Sequence, residues 1–103
     1  MLAFDWDEHN RGHLAEHDVT AEEAEQVLQQ EPIALEEELR NGEWRQLYLG
    51  ATDAGRILIV VAREMEESIR VVTAWPAKER LRAFWRTQQK GRLHGREIER
   101  PIE

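Results

Sequence analysis

At 103 residues the chain has room for one domain with a single modest core. A third of its side chains are charged, no apolar run is long enough to span a bilayer, and no basic-plus-apolar secretory leader opens it, so membrane and secreted classes are set aside. Cysteine is absent, which excludes disulfides and thiolate metal sites and fits a reducing cytoplasm. The net charge of −7 hides a division: residues 1–54 sum to −11 and residues 55–103 to +4. The acidic mean argues against loose nucleic-acid binding, yet the basic C-terminal third can form a local patch.

In chain order, Leu2-Ala3-Phe4-Asp5-Trp6 alternates and predicts a short first strand at an edge. Asp7 caps a helix through about Glu16, weakened by Gly12. Thr20 with Glu23 makes a capping box for a second helix, and Val19 with Ala24 its hydrophobic staple. Ala24, Val27 and Leu28 form that helix's core face, and Pro32 ends it. Pro32 to Leu39 predicts a weaker strand, Asn41-Gly42 a tight hairpin turn, and Trp44 to Leu49 the next strand.

Thr52 to Gly55 turns the chain into Arg56–Arg63, whose apolar run lacks polar alternation and predicts a central strand. Ser68 to Trp75 returns antiparallel and ends at Pro76, which cannot continue an internal ladder. A loop centred near Glu66 sets Arg56 beside Trp75 and Pro76, and Arg63 near Arg70. In the last helix Ala77, Leu81, Phe84, Trp85 and Gln88 share one face, Lys78, Arg82 and Arg86 form an adjoining basic stripe, and Gly91 is the terminator. Residues 1–90 thus form one domain, and residues 91–103 a mobile tail of mixed charge. The order β-α-α-β-β-β-β-α predicts an α+β fold: a four- to five-stranded antiparallel meander with two N-terminal helices and one C-terminal helix.

Two clusters carry chemistry. His9, His13 and His17 recur every four residues on one helix face, where two histidines can share a metal with Glu16 or Asp18. A polar helix face is the preferred reading, because no H-E-x-x-H motif or distant Cys/His set supports a metal site. The second cluster is Arg56, Trp75, Lys78 and Arg80, with Arg82 a turn on. Cleaving RNA without metal requires cations to hold the phosphate and groups to move protons, and an aromatic surface such as Trp75 or Trp85 can stack a base. The competing structural reading pairs Arg56 with Asp53 and Glu79 with a neighbouring arginine, and makes both Trp75 and Trp85 core, the preferred reading for Trp85. Arg63 and Arg70 lie about 17 Å from Trp75 along the strand, and are assigned to surface ion pairs with Glu64, Glu66 and Glu67.

Several stretches together resemble one family. They are Trp6-Asp7-Glu8, Asn10, His13 and His17, then Val19 to Glu25, Leu47 to Arg56, and Ile69 to Ala74. Over about residues 4–86, in order and at similar spacing, the chain resembles the BrnT-type ribonuclease toxins of bacterial toxin–antitoxin pairs. The resemblance implies a compact RelE-like α+β fold and cytoplasmic, metal-independent RNA cleavage through the 2′-hydroxyl with no cofactor. It also implies inhibition by a small ribbon-helix-helix-type antitoxin, through which oligomers form. On this reading Arg56, Lys78 and Arg80 hold the phosphate and His17 or His13 transfers protons. Trp75, Arg82 and Arg86 bind RNA. The chain departs from the family pattern at Trp75, where arginine is usual, at Leu81, near a usual acidic residue, and at Asp18, where glycine is common. The change at Trp75 motivates the alternative, a non-catalytic protein-interaction module on the same scaffold.

Overall fold

The computed structural model describes the backbone of residues 2–102 and the side chains of residues 2–91. Helices α1 (Glu8–Glu16) and α2 (Ala21–Gln29) come first. Strands β1 (Ile33–Arg40), β2 (Glu43–Ala51), β3 (Ile57–Glu64) and β4 (Ile69–Pro76) follow, and α3 (Glu79–Ile102) closes the chain. The strands form one antiparallel sheet in the order β1-β2-β3-β4, the α+β meander that the sequence predicts. The leading strand is reduced to one parallel bridge, Phe4 to Ile69, at the outer edge of β4. The Asp5 carbonyl accepts from the Asn10 side chain and Asp7 already caps α1, so the backbone leaves the ladder after one bridge.

Local signals fix the helix ends. Asp7 and Asn10 form a capping box at α1 (3.0 and 2.8 Å), and Thr20 and Glu23 another at α2 (both 3.1 Å). Helix α1 ends in a Schellman motif, with the Asp18 N–H on the Ala15 carbonyl and the Val19 N–H on the Leu14 carbonyl, both at 3.0 Å. Asp18 occupies the left-handed position (φ 61°) that glycine usually fills. Asn41 and Gly42 both have positive φ, as a type I′ hairpin turn requires. Helix α3 runs on past Gly91, the predicted terminator. An exposed glycine weakens a helix by about 1 kcal/mol relative to alanine but keeps its N–H, so the ladder continues. The predicted tail falls largely on residues 92–103, whose side chains lie outside the described ones.

Strand β3 is buried on both faces and divides the core into two layers. Leu58, Val60 and Ala62 pack against Leu14, Val27 and Leu28 of the first two helices, with Val71 and Ala74 of β4. Ile59 and Val61 pack on the other side with Leu49, Ala77 and Trp85, beneath α3. At Gly50 a Cβ would sit 2.9 Å from Val27 Cγ1, so α2 lies directly on the β2 backbone. Helix α3 turns Leu81 and Trp85 inward, but leaves Phe84 40% exposed and Gln88 exposed, so its buried face is narrower than predicted.

One irregularity sets which side chains share a face. Arg63 pairs with Arg70 and Ala62 with Val71, but Val61 pairs with Thr73, so Val72 is an extra residue in β4. Beyond this bulge Ile59 faces Trp75 and Leu58 faces Pro76.

Candidate functional site

The sheet register lines up arginines. Arg63 is opposite Arg70, and Arg45 lies one step beyond the Gln46–Ala62 pair, which puts it beside Arg63. These side chains share the α3 face of the sheet at the end near the β3–β4 turn. There they meet α1, whose His9 and His13 lie one turn apart with ring centroids separated by 4.5 Å. Asn10, Glu43 and Val72 complete the lining of a cavity of about 270 Å³. Three guanidiniums and two imidazoles therefore face a single carboxylate in the cavity lining.

Carboxylates hold the arginines in place. Arg63 and Arg45 lie 3.3 and 3.6 Å from Glu43, and Arg70 lies 2.9 Å from Asp7 and 3.3 Å from Asp5. Burial works against the Arg70 charge, but hydrogen bonds and attraction from Asp7 and Asp5 outweigh it and keep the guanidinium more firmly protonated. The Asn10 backbone N–H, aided by Arg70, holds the Asp7 carboxyl below its usual range. Arg45 Nε is buried with no hydrogen-bond partner among the described residues. A guanidinium has five N–H donors, so donors remain for a ligand after these contacts. The partners of Arg63 and Arg70 are thus Glu43, Asp5 and Asp7, and not the turn glutamates that sequence proximity suggested.

The predicted cluster around Arg56 is divided by the sheet. Arg56 lies on the α2 face, where its Nη1 donates to both carboxylate oxygens of Glu23 (2.9 and 2.8 Å) and to the Asp18 carbonyl (3.0 Å). Trp75, Lys78 and Arg80 stay together, lining a groove of about 600 Å³ with Leu81 and Phe84. His17 reaches the rim of this group, its ring 6.3 Å from that of Trp75, whereas His13 belongs to the arginine cavity. Arg82 and Arg86 both bind Glu79, at 2.8 and 2.9 Å, and Arg82 also donates to the Ala77 carbonyl. Sequence reasoning did not single out Arg45, and it left His9, Arg63 and Arg70 out of the cluster it assembled around Arg56. The signal was present in the register of three consecutive strands.

Arg56 tests whether its role is structural. Burial raises the Glu23 pKa, but the Arg56 hydrogen bond and the Thr20 N–H lower it more, leaving it below the ordinary 4.5. A carboxyl with a depressed folded pKa contributes stability above its ordinary pKa and loses it as pH falls through the folded value. Arg56→Ala is expected to lower stability by about 1–2 kcal/mol at neutral pH. It should also flatten the loss of stability on acidification below pH 4.5. Denaturant titrations at neutral and acid pH measure both.

Among the described residues no group of three or more His, Cys, Asp or Glu side chains is arranged to hold a metal ion. No described helix is long and apolar enough to cross a membrane. A search of curated proteins returned no match. Residues 6–80 match the family model described as the ribonuclease toxin BrnT of type II toxin–antitoxin systems. That span contains the whole arginine–histidine cavity and ends at Arg80, before Phe84. The chain therefore belongs to the BrnT family of ribonuclease toxins of type II toxin–antitoxin systems.

Proposed function

We propose that this chain is a metal-independent endoribonuclease that cleaves RNA in the cavity of His9, His13, Arg45, Arg63 and Arg70. The observation that carries this reading is the convergence of two imidazoles and three guanidiniums on one opening of the sheet. Family membership makes RNA the substrate and an antitoxin the partner. The arginines hold the scissile phosphate and stabilise the charge that grows on its oxygens in the transition state. His13, the less exposed of the two histidines, takes the proton from the 2′-hydroxyl. The 2′-oxygen attacks the adjacent phosphorus, the bond to the 5′-oxygen breaks, and His9 returns a proton to that leaving oxygen. The products are a 2′,3′-cyclic phosphate and a 5′-hydroxyl.

Arg56 acts here as a clamp between β3 and α2. Lys78, Arg80, Trp75 and His17 lie outside the cavity and extend the contact with RNA, with Arg82 and Arg86 on the neighbouring helix turns. A small antitoxin of ribbon-helix-helix type, acting in the cytoplasm, silences the enzyme by covering these cations. The test is incubation of purified protein with mixed RNA in chelator, followed by analysis of the cut ends. Cyclic-phosphate and 5′-hydroxyl ends are expected. Intact RNA after exposure to folded protein would overturn the enzymatic reading and leave the interaction module.

A further inference from the structure

The groove between β4 and α3 is unlike the cavity. Trp75, Leu81 and Phe84 give it an apolar floor, and Lys78 and Arg80 stand at its margin. Phe84 is 40% exposed, a high value for a phenylalanine on a helix that packs against a sheet. Glu79 is engaged by Arg82 and Arg86, and neither Lys78 nor Arg80 has an ion-pair partner among the described residues. Aromatic faces beside unpaired cations suit a ligand with alternating flat rings and negative charges.

The bulge at Val72 joins this groove to the cavity. Residues an odd number apart on a regular strand point to opposite faces, and Arg70 and Trp75 are five apart. The extra residue restores one face to both, so Val72 and Trp75 lie in the same layer while Arg70 lines the cavity below them. The two openings are separated by at most about 17 Å of strand. A nucleic-acid strand stacked as in a duplex advances about 3.4 Å per nucleotide, so about five nucleotides span that distance, fewer where the bases are splayed.

We infer that the Trp75–Phe84 groove is a stacking subsite for unpaired RNA bases, a few nucleotides from the scissile phosphate, with Lys78 and Arg80 on the intervening backbone. The inference rests on RNA being the substrate of the cavity. It makes the enzyme selective for single-stranded RNA long enough to reach both openings, because a base can lie on Trp75 or Phe84 only when it has left its helix.

The test uses uncleavable 2′-O-methyl oligonucleotides, so that binding is read apart from chemistry. Fluorescence anisotropy compares strands of about four and about ten nucleotides on the wild-type chain and on variants. The longer strand should bind more tightly to wild type, and Trp75→Ala and Phe84→Ala should each remove about 10-fold of that gain. Trp75→Phe, which keeps an aromatic face, should retain most of it. Phe84→Ala removes an exposed ring and spares the core, so it remains informative if Trp75→Ala unfolds. Equal affinity of wild type and folded Phe84→Ala for the longer strand would overturn the subsite. So would an equal loss of affinity for duplex RNA, which would mean charge alone is sensed. Unchanged RNA affinity with weakened antitoxin binding would instead make the groove a protein-docking surface. Length-dependent binding that persists in a chain unable to cleave natural RNA would sink the cavity's chemistry and leave the subsite standing.

Discussion

His13→Ala is expected to slow RNA cleavage by about 10²- to 10⁴-fold, the range in which positioned general acid–base groups act. Its ring lines the arginine cavity 4.5 Å from His9, on the face of α1 turned toward β4. The buried residues of α1 are Asn10 and Leu14, so removing this imidazole leaves the helix docked. The thermal midpoint should therefore move by no more than about 2–4 °C, since surface substitutions stay within about 0.5 kcal/mol. Single-turnover cleavage of one oligonucleotide, with a melting curve on the same sample, measures both quantities. Arg56→Ala should behave in the opposite way, with lower stability and nearly normal cleavage per folded molecule. If the two variants exchanged these phenotypes, the cavity would lose its assignment and the Arg56 cluster would regain it.

Asn10→Ala should be the most damaging single change to stability among those considered. The Asn10 side chain is buried, donates to the Asp5 and Val71 carbonyls at 2.9 Å each, and accepts from the Asp7 N–H at 2.8 Å. It therefore ties the leading segment, the start of α1 and β4 into one joint. Truncation strands the buried Val71 carbonyl and breaks the capping box, a loss of about 3 kcal/mol. For a chain of this length that corresponds to a fall of about 15 °C in the melting midpoint. Asn10→Asp keeps the volume but places a carboxylate against two carbonyl oxygens, so it should be at least as harmful near neutral pH. Protonation supplies one donor, so part of the deficit should disappear as pH falls. Calorimetry across that range tests the order, and an Asn10→Ala protein as stable as wild type would deny the joint its role.

The sequence carried most of the fold because its signals were local. Asp7, Thr20 and Glu23, Asn41-Gly42 and the unbroken apolar run of β3 each act within a few residues, and each marks the feature observed. The site was less legible because its parts meet only through long-range register. A hairpin counted without a bulge puts Trp75 and Arg56 on one face, whereas the extra residue at Val72 sends them to opposite faces. Glu43 and Asp7, the partners of Arg63 and Arg70, are remote in sequence, so proximity along the chain favoured the wrong carboxylates. Phe84 shows the limit of helical periodicity: its spacing fits the apolar face, yet its ring stays 40% exposed at the groove between β4 and α3.

The sheet has one long outer rim, and its chemistry bears on how the molecule behaves at high concentration. The Phe4–Ile69 bridge and α1 lie along β4, which leaves β1 as the strand with an unpaired side. Close to that rim, Leu39 and Trp44 are 58% and 61% exposed and directly opposite each other, an apolar pair that invites a second chain to add on. Glu36, Glu37 and Glu38 oppose this, because an identical strand laid alongside would bring three carboxylates against three. The register break between Ala34 and Glu37 also twists the rim away from the flat geometry that fibrils need. The carboxylates that make the N-terminal half a poor grip for RNA thus protect the chain from self-association into fibres.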